Sequence, residues 1–205
     1  DAGITLFDTA EMYADGESEK VLGRALGRDR DRVRIASKAV SAHCAPAALR
    51  AACEASLKRL RTDRIDLYQV HWPARDVPFA DTAAEMRRLQ QEGKILAAGV
   101  SNFGPQDLES WMAAGAAVSN QVGYNLLFRA PEYEILPACR RYDLSLLAYM
   151  PLLQGILTGR WTTVEEIPPA RRRIRHFAAT REGTQHGEPG CESELFAALR
   201  GIRAV

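Results

Sequence analysis

The stretch Ile65-Asp66-Leu67-Tyr68-Gln69-Val70-His71-Trp72 places an imidazole directly after a short run, Ile65 to Val70, rich in β-branched and aromatic residues. Such a run predicts a strand. Five more of the same kind lie on either side: Ile4 to Phe7, Val33 to Ala36, Ile95 to Val100, Val118 to Gly123 and Leu144 to Tyr149. The segments between them have helical spacing. Leu49, Cys53, Leu57 and Leu60 recur on one face behind Pro46, a residue suited to a first helical turn, and Val21, Leu22, Ala25 and Leu26 form a second stripe. Thr82, with Glu85 three residues on, reads as a capping box opening a third helix. Apolar runs alternating with helices predict a parallel sheet, with the runs buried on both faces and right-handed crossovers between them.

Two parallel designs compete, an eight-stranded barrel and an open doubly wound sheet. An open sheet gathers polar function at one switch point, whereas every strand of a barrel can deliver a residue to a common C-terminal mouth. Here nearly every run ends in a polar group: Asp8, Lys38, His71, Ser101 with Asn102, Gln121 with Asn125, and Tyr149. No strand-to-helix turn carries the G-x-G-x-x-G series of a dinucleotide-binding sheet. The barrel is therefore the expected fold, as one domain over residues 1–205. A complete barrel has about 250 residues and eight strands, so an incomplete one is expected, with a strand missing before Asp1 and another after Val205.

Composition narrows the function. The chain has 205 residues, 46% of them hydrophobic, enough for one large core. A formal net charge of +1 provides no field to hold a polyanion or an anionic membrane, so neither nucleic acid nor membrane is an expected partner. No apolar run approaches the roughly 18 residues of a membrane span, and the first residues do not form the basic, apolar, small-residue series of a secretory signal, so a soluble protein is expected. Cys44, Cys53, Cys139 and Cys191 lie far apart without C-x-x-C spacing; reduced thiols, a cytoplasmic location and no metal site are expected. The segment from Thr162 to Gly190, with Arg171, Arg172, Arg173 and Arg175, has no strand pattern and reads as a long loop over the barrel mouth. A helix with Leu195, Phe196, Leu199 and Ile202 on one face follows it.

The first strand ends carry an acid at Asp8, a phenol at Tyr13, an ammonium at Lys38 and an imidazole at His71. A phenol is a poor acid near neutrality; a nearby ammonium would lower its pKa, a carboxylate would hold the ammonium, and an imidazole can donate to an oxygen gaining negative charge. Such a set is suited to protonating a carbonyl. It supplies no electrons, so a reduction needs a hydride donor. Lys38 is one of only four lysines beside 23 arginines, which points to a wanted ammonium, since only that group shifts its pKa readily. The bland readings are a core imidazole at His71, helix-capping side chains at Ser101 and Asn102, surface residues at His43, His176 and His186, and a solvated face for the arginine cluster.

The sequence resembles the aldo-keto reductase superfamily over almost its whole length. The resemblance rests on Phe7-Asp8-Thr9-Ala10-Glu11-Met12-Tyr13, Gly16-Glu17-Ser18-Glu19, Ser37-Lys38, Asp66 to Trp72, Gly99-Val100-Ser101-Asn102-Phe103, Asn120-Gln121-Val122 with Tyr124-Asn125, and Pro151-Leu152 with Gly155 to Gly159. It implies an NADPH-dependent reduction of an aldehyde or ketone, with Asp8, Tyr13, Lys38 and His71 as a catalytic tetrad and Tyr13 as proton donor. Ser101, Asn102 and Gln121 would hold the nicotinamide carboxamide, Tyr149 would stack on its ring, and Pro151, Leu152, Gly155 and Arg160 would meet the pyrophosphate. The branch implied is that of bacterial general oxidoreductases and potassium-channel β subunits. The family's segment for the adenosine 2′-phosphate would follow Val205, which leaves the choice between NADPH and NADH open. Three other readings stand beside this one: a regulatory binding module on the same scaffold, an inactive truncated form, and a Schiff-base enzyme using Lys38.

Overall fold

A computed structural model describes residues 3–204. Six strands, β1 (Leu6–Asp8), β2 (Arg34–Ala39), β3 (Ile65–Val70), β4 (Ile95–Ser101), β5 (Ser119–Gly123) and β6 (Ser145–Tyr149), all pair in parallel. Five helices lie between them: α1 (Glu17–Leu26), α2 (Pro46–Leu60), α3 (Phe79–Gln91), α4 (Pro105–Ala114) and α5 (Ile135–Arg141). The strand order in the sheet follows the chain, β1-β2-β3-β4-β5-β6, with no reversal. A doubly wound sheet needs a reversal, so this order belongs to a (β/α)8-type barrel of which six strands are described.

Curvature of the sheet supports the same conclusion. Gln121 Nε2 on β5 donates to Asp8 Oδ1 on β1 at 3.1 Å. In a flat sheet, strands four places apart would lie about 19 Å from each other, at about 4.8 Å per strand. The sheet must therefore curl to bring its C-terminal ends together.

The helical stripe behind Pro46 forms α2 as its spacing predicts, with Leu49, Cys53, Leu57 and Leu60 buried; Arg61, at φ 54°, turns the chain out of the helix. Between the helices and the outer face of β2 to β4 lies one core that includes Ile35, Tyr68, Met86, Ile95 and Val100. Phe79, Phe103 and Trp111 pack with ring centroids 5.4 to 5.9 Å apart, and Phe103 and Trp111 are wholly buried. Rings at these separations add to the burial energy through edge-to-face attraction.

Three expectations need correction. The outer runs are not buried on both faces: Leu6 is 49% exposed and Tyr149 37%, because β1 and β6 each have a single neighbour in the sheet. The third helix does not open at Thr82. It begins at Phe79 behind Pro78, and the Thr82 hydroxyl, inside the helix, donates to the Cys44 carbonyl at 2.9 Å. Glu85, far from closing a capping box, is buried and paired with Arg50 at 2.8 Å and Arg88 at 2.9 Å.

Residues up to Gly123 together with Arg129–Tyr149 form one compact unit. Tyr124–Phe128 and the residues from Met150 onward form a second. The second unit contains the segment read as a long loop, and that segment packs: Val164, Ile167 and Phe177 join Leu153, Ile156, Trp161, Leu195 and Leu199 in a core of their own. Leu195 and Leu199 come from α6 (Glu192–Arg203), the predicted last helix.

Gly23 on α1 lies against the end of α2 so closely that a Cβ there would sit 2.4 Å from the Leu60 carbonyl oxygen. Backbone cannot yield as a flexible side chain can, so Gly23→Ala should lower stability by about 1 to 3 kcal/mol, read as a drop in thermal midpoint with an unchanged far-ultraviolet spectrum.

Candidate active site

The C-terminal ends of the strands in the first unit gather eight of the residues singled out in the sequence. Lys38 Nζ, on a side chain with no solvent exposure, donates to Asp8 Oδ2 at 2.6 Å and to the Thr9 carbonyl at 2.9 Å. Its ammonium lies 5.1 Å from the centre of the Tyr13 ring. Tyr13 stands edge-on to His71 at 5.8 Å, and His71 is stacked on Trp72 at 3.9 Å. The acid, the ammonium, the phenol and the imidazole thus form one cluster.

A hydrogen-bonded chain continues from it. The Ser101 hydroxyl donates to the Gln121 carbonyl at 2.9 Å. Asn102 Nδ2 donates to the His71 carbonyl and to Ser101 Oγ, both at 3.0 Å, and Tyr149 Oη donates to Asn102 Oδ1 at 2.9 Å. Asn102 adopts φ 62°, a conformation Asn tolerates better than most side chains. Neither Ser101 nor Asn102 supplies a side-chain cap to α4, whose N-cap position is taken by Gly104; their polar groups are used inside the cluster instead. The Tyr149 ring covers Gly123, where a Cβ would come within 3.3 Å of it.

Electrostatics departs from expectation at Tyr13. A nearby ammonium was expected to lower the phenol pKa. Instead it is raised, by burial first and then by the negative charge of Asp8, with the neighbouring Tyr149 phenol acting in the same direction. The physical reason lies in the pairing: the Lys38 charge is matched by Asp8, and burial itself pulls the Lys38 pKa down against that carboxylate. Tyr13 therefore stays protonated at neutral pH. His71 is held down to about 4, by burial and then by the Lys38 charge, so its imidazole is neutral at the same pH. Its Nδ1 is buried without a hydrogen-bond partner among the described residues.

The remaining four residues lie in the second unit. Pro151, Leu152, Gly155 and Arg160 line one cavity of about 620 Å³, together with Trp161 and Arg171. Gln154 and Gly155 have left-handed backbone, at φ 56° and 96°, and Arg160 lies 5.7 Å from the Trp161 ring. A larger cavity of about 790 Å³ opens at the opposite, N-terminal ends of the strands, lined by Leu6, Arg34, Leu67, Ala97, Ser119 and Leu147, and none of the twelve candidates faces it. Among the described residues no group of three or more metal-ligating side chains occurs, and all four cysteines are free thiols.

Sequence reasoning passed over the support behind this cluster. Glu19 on α1 is wholly buried, accepts from Ser37 Oγ at 2.5 Å, and pairs with Arg59 Nε at 2.6 Å, bracing the strand position next to Lys38. Its spacing was the available signal: Glu19 shares a helical face with Leu22 and Gly23, and a carboxylate on an apolar stripe needs a buried partner.

Sequential parallel strands with ionisable side chains gathered at their C-terminal ends define a barrel of the (β/α)8 class with a polar cluster at its strand ends. The chain belongs to the aldo/keto reductase family, whose model matches residues 1–194. It is 44% identical over 156 residues to methylglyoxal reductase YeaE of Escherichia coli, across 75% of this chain and 55% of that protein. It is 41% identical over 172 residues to aldo-keto reductase YhdN of Bacillus subtilis, across 79% and 52%. The chain thus spans about half the length of these curated relatives. Among solved structures, a glycerol dehydrogenase from Gluconobacter oxydans superposes with a TM-score of 0.84 at 31% identity, over 98% of this chain and 63% of that one. An aldo-keto reductase from Klebsiella pneumoniae in complex with NADPH gives 0.73 at 34%, over 97% and 75%.

Burial sets the His71 titration. With a folded pKa near 4 against an ordinary value near 6.5, the unfolded chain binds the proton first, so the His71 contribution lowers stability as pH falls from about 6.5 to about 4 and changes no further below that. The His71 ring resonance, assigned through His71→Asn, should titrate with a midpoint near 4; a midpoint near the ordinary value would contradict the buried, unprotonated ring.

Proposed function

We propose that the chain carries the catalytic machinery of an NADP(H)-dependent oxidoreductase that reduces an aldehyde or ketone to an alcohol, with Asp8, Tyr13, Lys38 and His71 as its reacting and supporting groups. The observation that carries this reading is the convergence of a protonated phenol, a neutral imidazole and a carboxylate-matched ammonium at the mouth ends of β1, β2 and β3. Family membership and the NADPH bound to the Klebsiella neighbour support the cofactor.

The donor set fits a nicotinamide. Ser101, Asn102 and Gln121 bring hydroxyl and amide groups together beside the Tyr149 phenol, the chemistry that a carboxamide pairs with. In this reading Pro151, Leu152, Gly155 and Arg160 serve the phosphates. When bound, the cofactor supplies the hydride that the protein lacks.

The chain's own residues supply the proton. Tyr13 gives its hydroxyl proton to the carbonyl oxygen, and the neutral His71 donates a hydrogen bond to that oxygen as charge grows on it. The tyrosinate left behind lies close to the Lys38 ammonium, an attraction absent while Tyr13 is neutral. Asp8 holds that ammonium in place through the 2.6 Å bond.

Tyr13→Phe removes the proton and leaves the proposed nicotinamide contacts. With methylglyoxal as substrate and NADPH oxidation followed at 340 nm, turnover should fall about 10² to 10⁴-fold while NADPH affinity, read by fluorescence quenching, stays within about twofold. Retention of more than about a tenth of wild-type turnover would remove Tyr13 from the role of proton donor.

A further inference from the structure

We propose that Glu11 is a positioning residue for this reaction, clamping the loop that carries Tyr13 onto the chain that has just delivered Lys38; this rests on the reductase reading above. Glu11 Oε1 accepts from the Val40 backbone N–H at 2.7 Å and from His43 Nδ1–H at 2.9 Å. The carboxylate side chain is 9% exposed, while its His43 partner is 47% exposed.

The connectivity shows what this clamp holds. Glu11 precedes Tyr13 by two residues, and Val40 follows Lys38 by two. One carboxylate oxygen therefore ties together the two segments whose side chains must meet, Tyr13 and Lys38. Ladder pairing between β1 and β2 ends just before this point, with Thr9 N–H donating to the Ala36 carbonyl at 2.9 Å and Glu11 N–H to the Lys38 carbonyl at a longer 3.3 Å.

Beyond Glu11 the chain has little regular support. Tyr13 sits in a turn closed by its own N–H to the Ala10 carbonyl at 3.1 Å, and Ala14, Asp15 and Gly16 follow in left-handed conformations at φ 49°, 51° and 80°. The other anchors, the Thr9 to Ser18 hydroxyl pair at 2.8 Å and Ser18 N–H to the Tyr13 carbonyl at 3.3 Å, run from the loop to its neighbours along the chain and to α1. Within this set, only the Glu11 side chain reaches across to the segment after β2. Proton transfer tolerates little misplacement, since an error of about 1 Å can cost about 10²-fold in rate.

Three variants of the full chain separate positioning from charge. Glu11→Gln keeps an acceptor oxygen at the same reach without the charge, Glu11→Asp keeps the charge but falls short by one methylene, and Glu11→Ala removes both. Turnover of methylglyoxal with NADPH should fall about tenfold or more in the Ala and Asp variants and stay within about threefold of wild type in the Gln variant, with NADPH affinity unchanged throughout. A second readout needs no turnover: in ¹³C-tyrosine-labelled protein, the Tyr13 ring resonances, assigned through Tyr13→Phe, should move in the Ala and Asp variants and not in the Gln variant, because the ring leaves its edge-on place beside His71.

An active Asp variant beside an inactive Gln variant would overturn the proposal in favour of a charge effect. Unmoved Tyr13 resonances in both Ala and Asp variants would overturn it outright. Should Glu11→Ala fail to fold, the Asp and Gln pair still decides. Wild-type protein without carbonyl reduction, but with the expected pattern of Tyr13 resonances, would sink the reductase reading and leave the clamp standing.

Discussion

A lysine side chain with no exposure to solvent constrains everything around it. An ammonium removed from water costs several kcal/mol unless opposite charge and hydrogen bonds replace the lost hydration. For Lys38 the replacement is Asp8 and the Thr9 carbonyl, both from the end of β1. Asp8 is itself held by Gln121 of β5, Gln121 is joined through its backbone to Ser101 of β4, and Asn102 leads on to Tyr149 of β6. The buried Lys38 charge thereby links side chains at the C-terminal ends of five strands. It also enforces curvature, since the Asp8 to Gln121 bond cannot form across a flat sheet.

The same pairing explains the protonation of the cluster. Because Asp8 matches the Lys38 charge, the phenol beside them gains no net stabilisation of its anion, and burial leaves Tyr13 protonated and His71 neutral. These are the forms a proton donor and a hydrogen-bond donor to a carbonyl require before reaction. The attraction between Lys38 and a tyrosinate arises only as the proton leaves, which is where stabilisation accelerates a step.

The second unit shows how a chain segment without periodicity can still be ordered. Val164, Ile167 and Phe177 are isolated apolar residues between prolines and arginines, with neither a strand nor a helix period to announce them. They pack because Leu195 and Leu199 of α6 and the turn at Leu153 and Ile156 complete a small core. Arg203 adds hydrogen bonds from the end of α6 to the Gly159 and Trp161 carbonyls.

The strands, most of the helices and the identity of the polar residues at the strand ends were legible in the sequence, because hydrophobic period and run length act locally and Asp8, Lys38, His71, Ser101 and Tyr149 stand at the ends of those runs. The branch between barrel and open sheet was legible too, from the spread of polar residues over all the strands. What the tertiary structure alone decided depends on distance between residues remote in the chain. Only the fold brings Gln121 to Asp8, 113 positions away, buries Glu19 against Ser37 and Arg59, and leads Glu11 across to Val40 and His43. The direction of the Tyr13 shift belongs with these, because a phenol responds to the summed field of its neighbours and to its burial, and both are set by how the loop and strands meet rather than by which residues they contain.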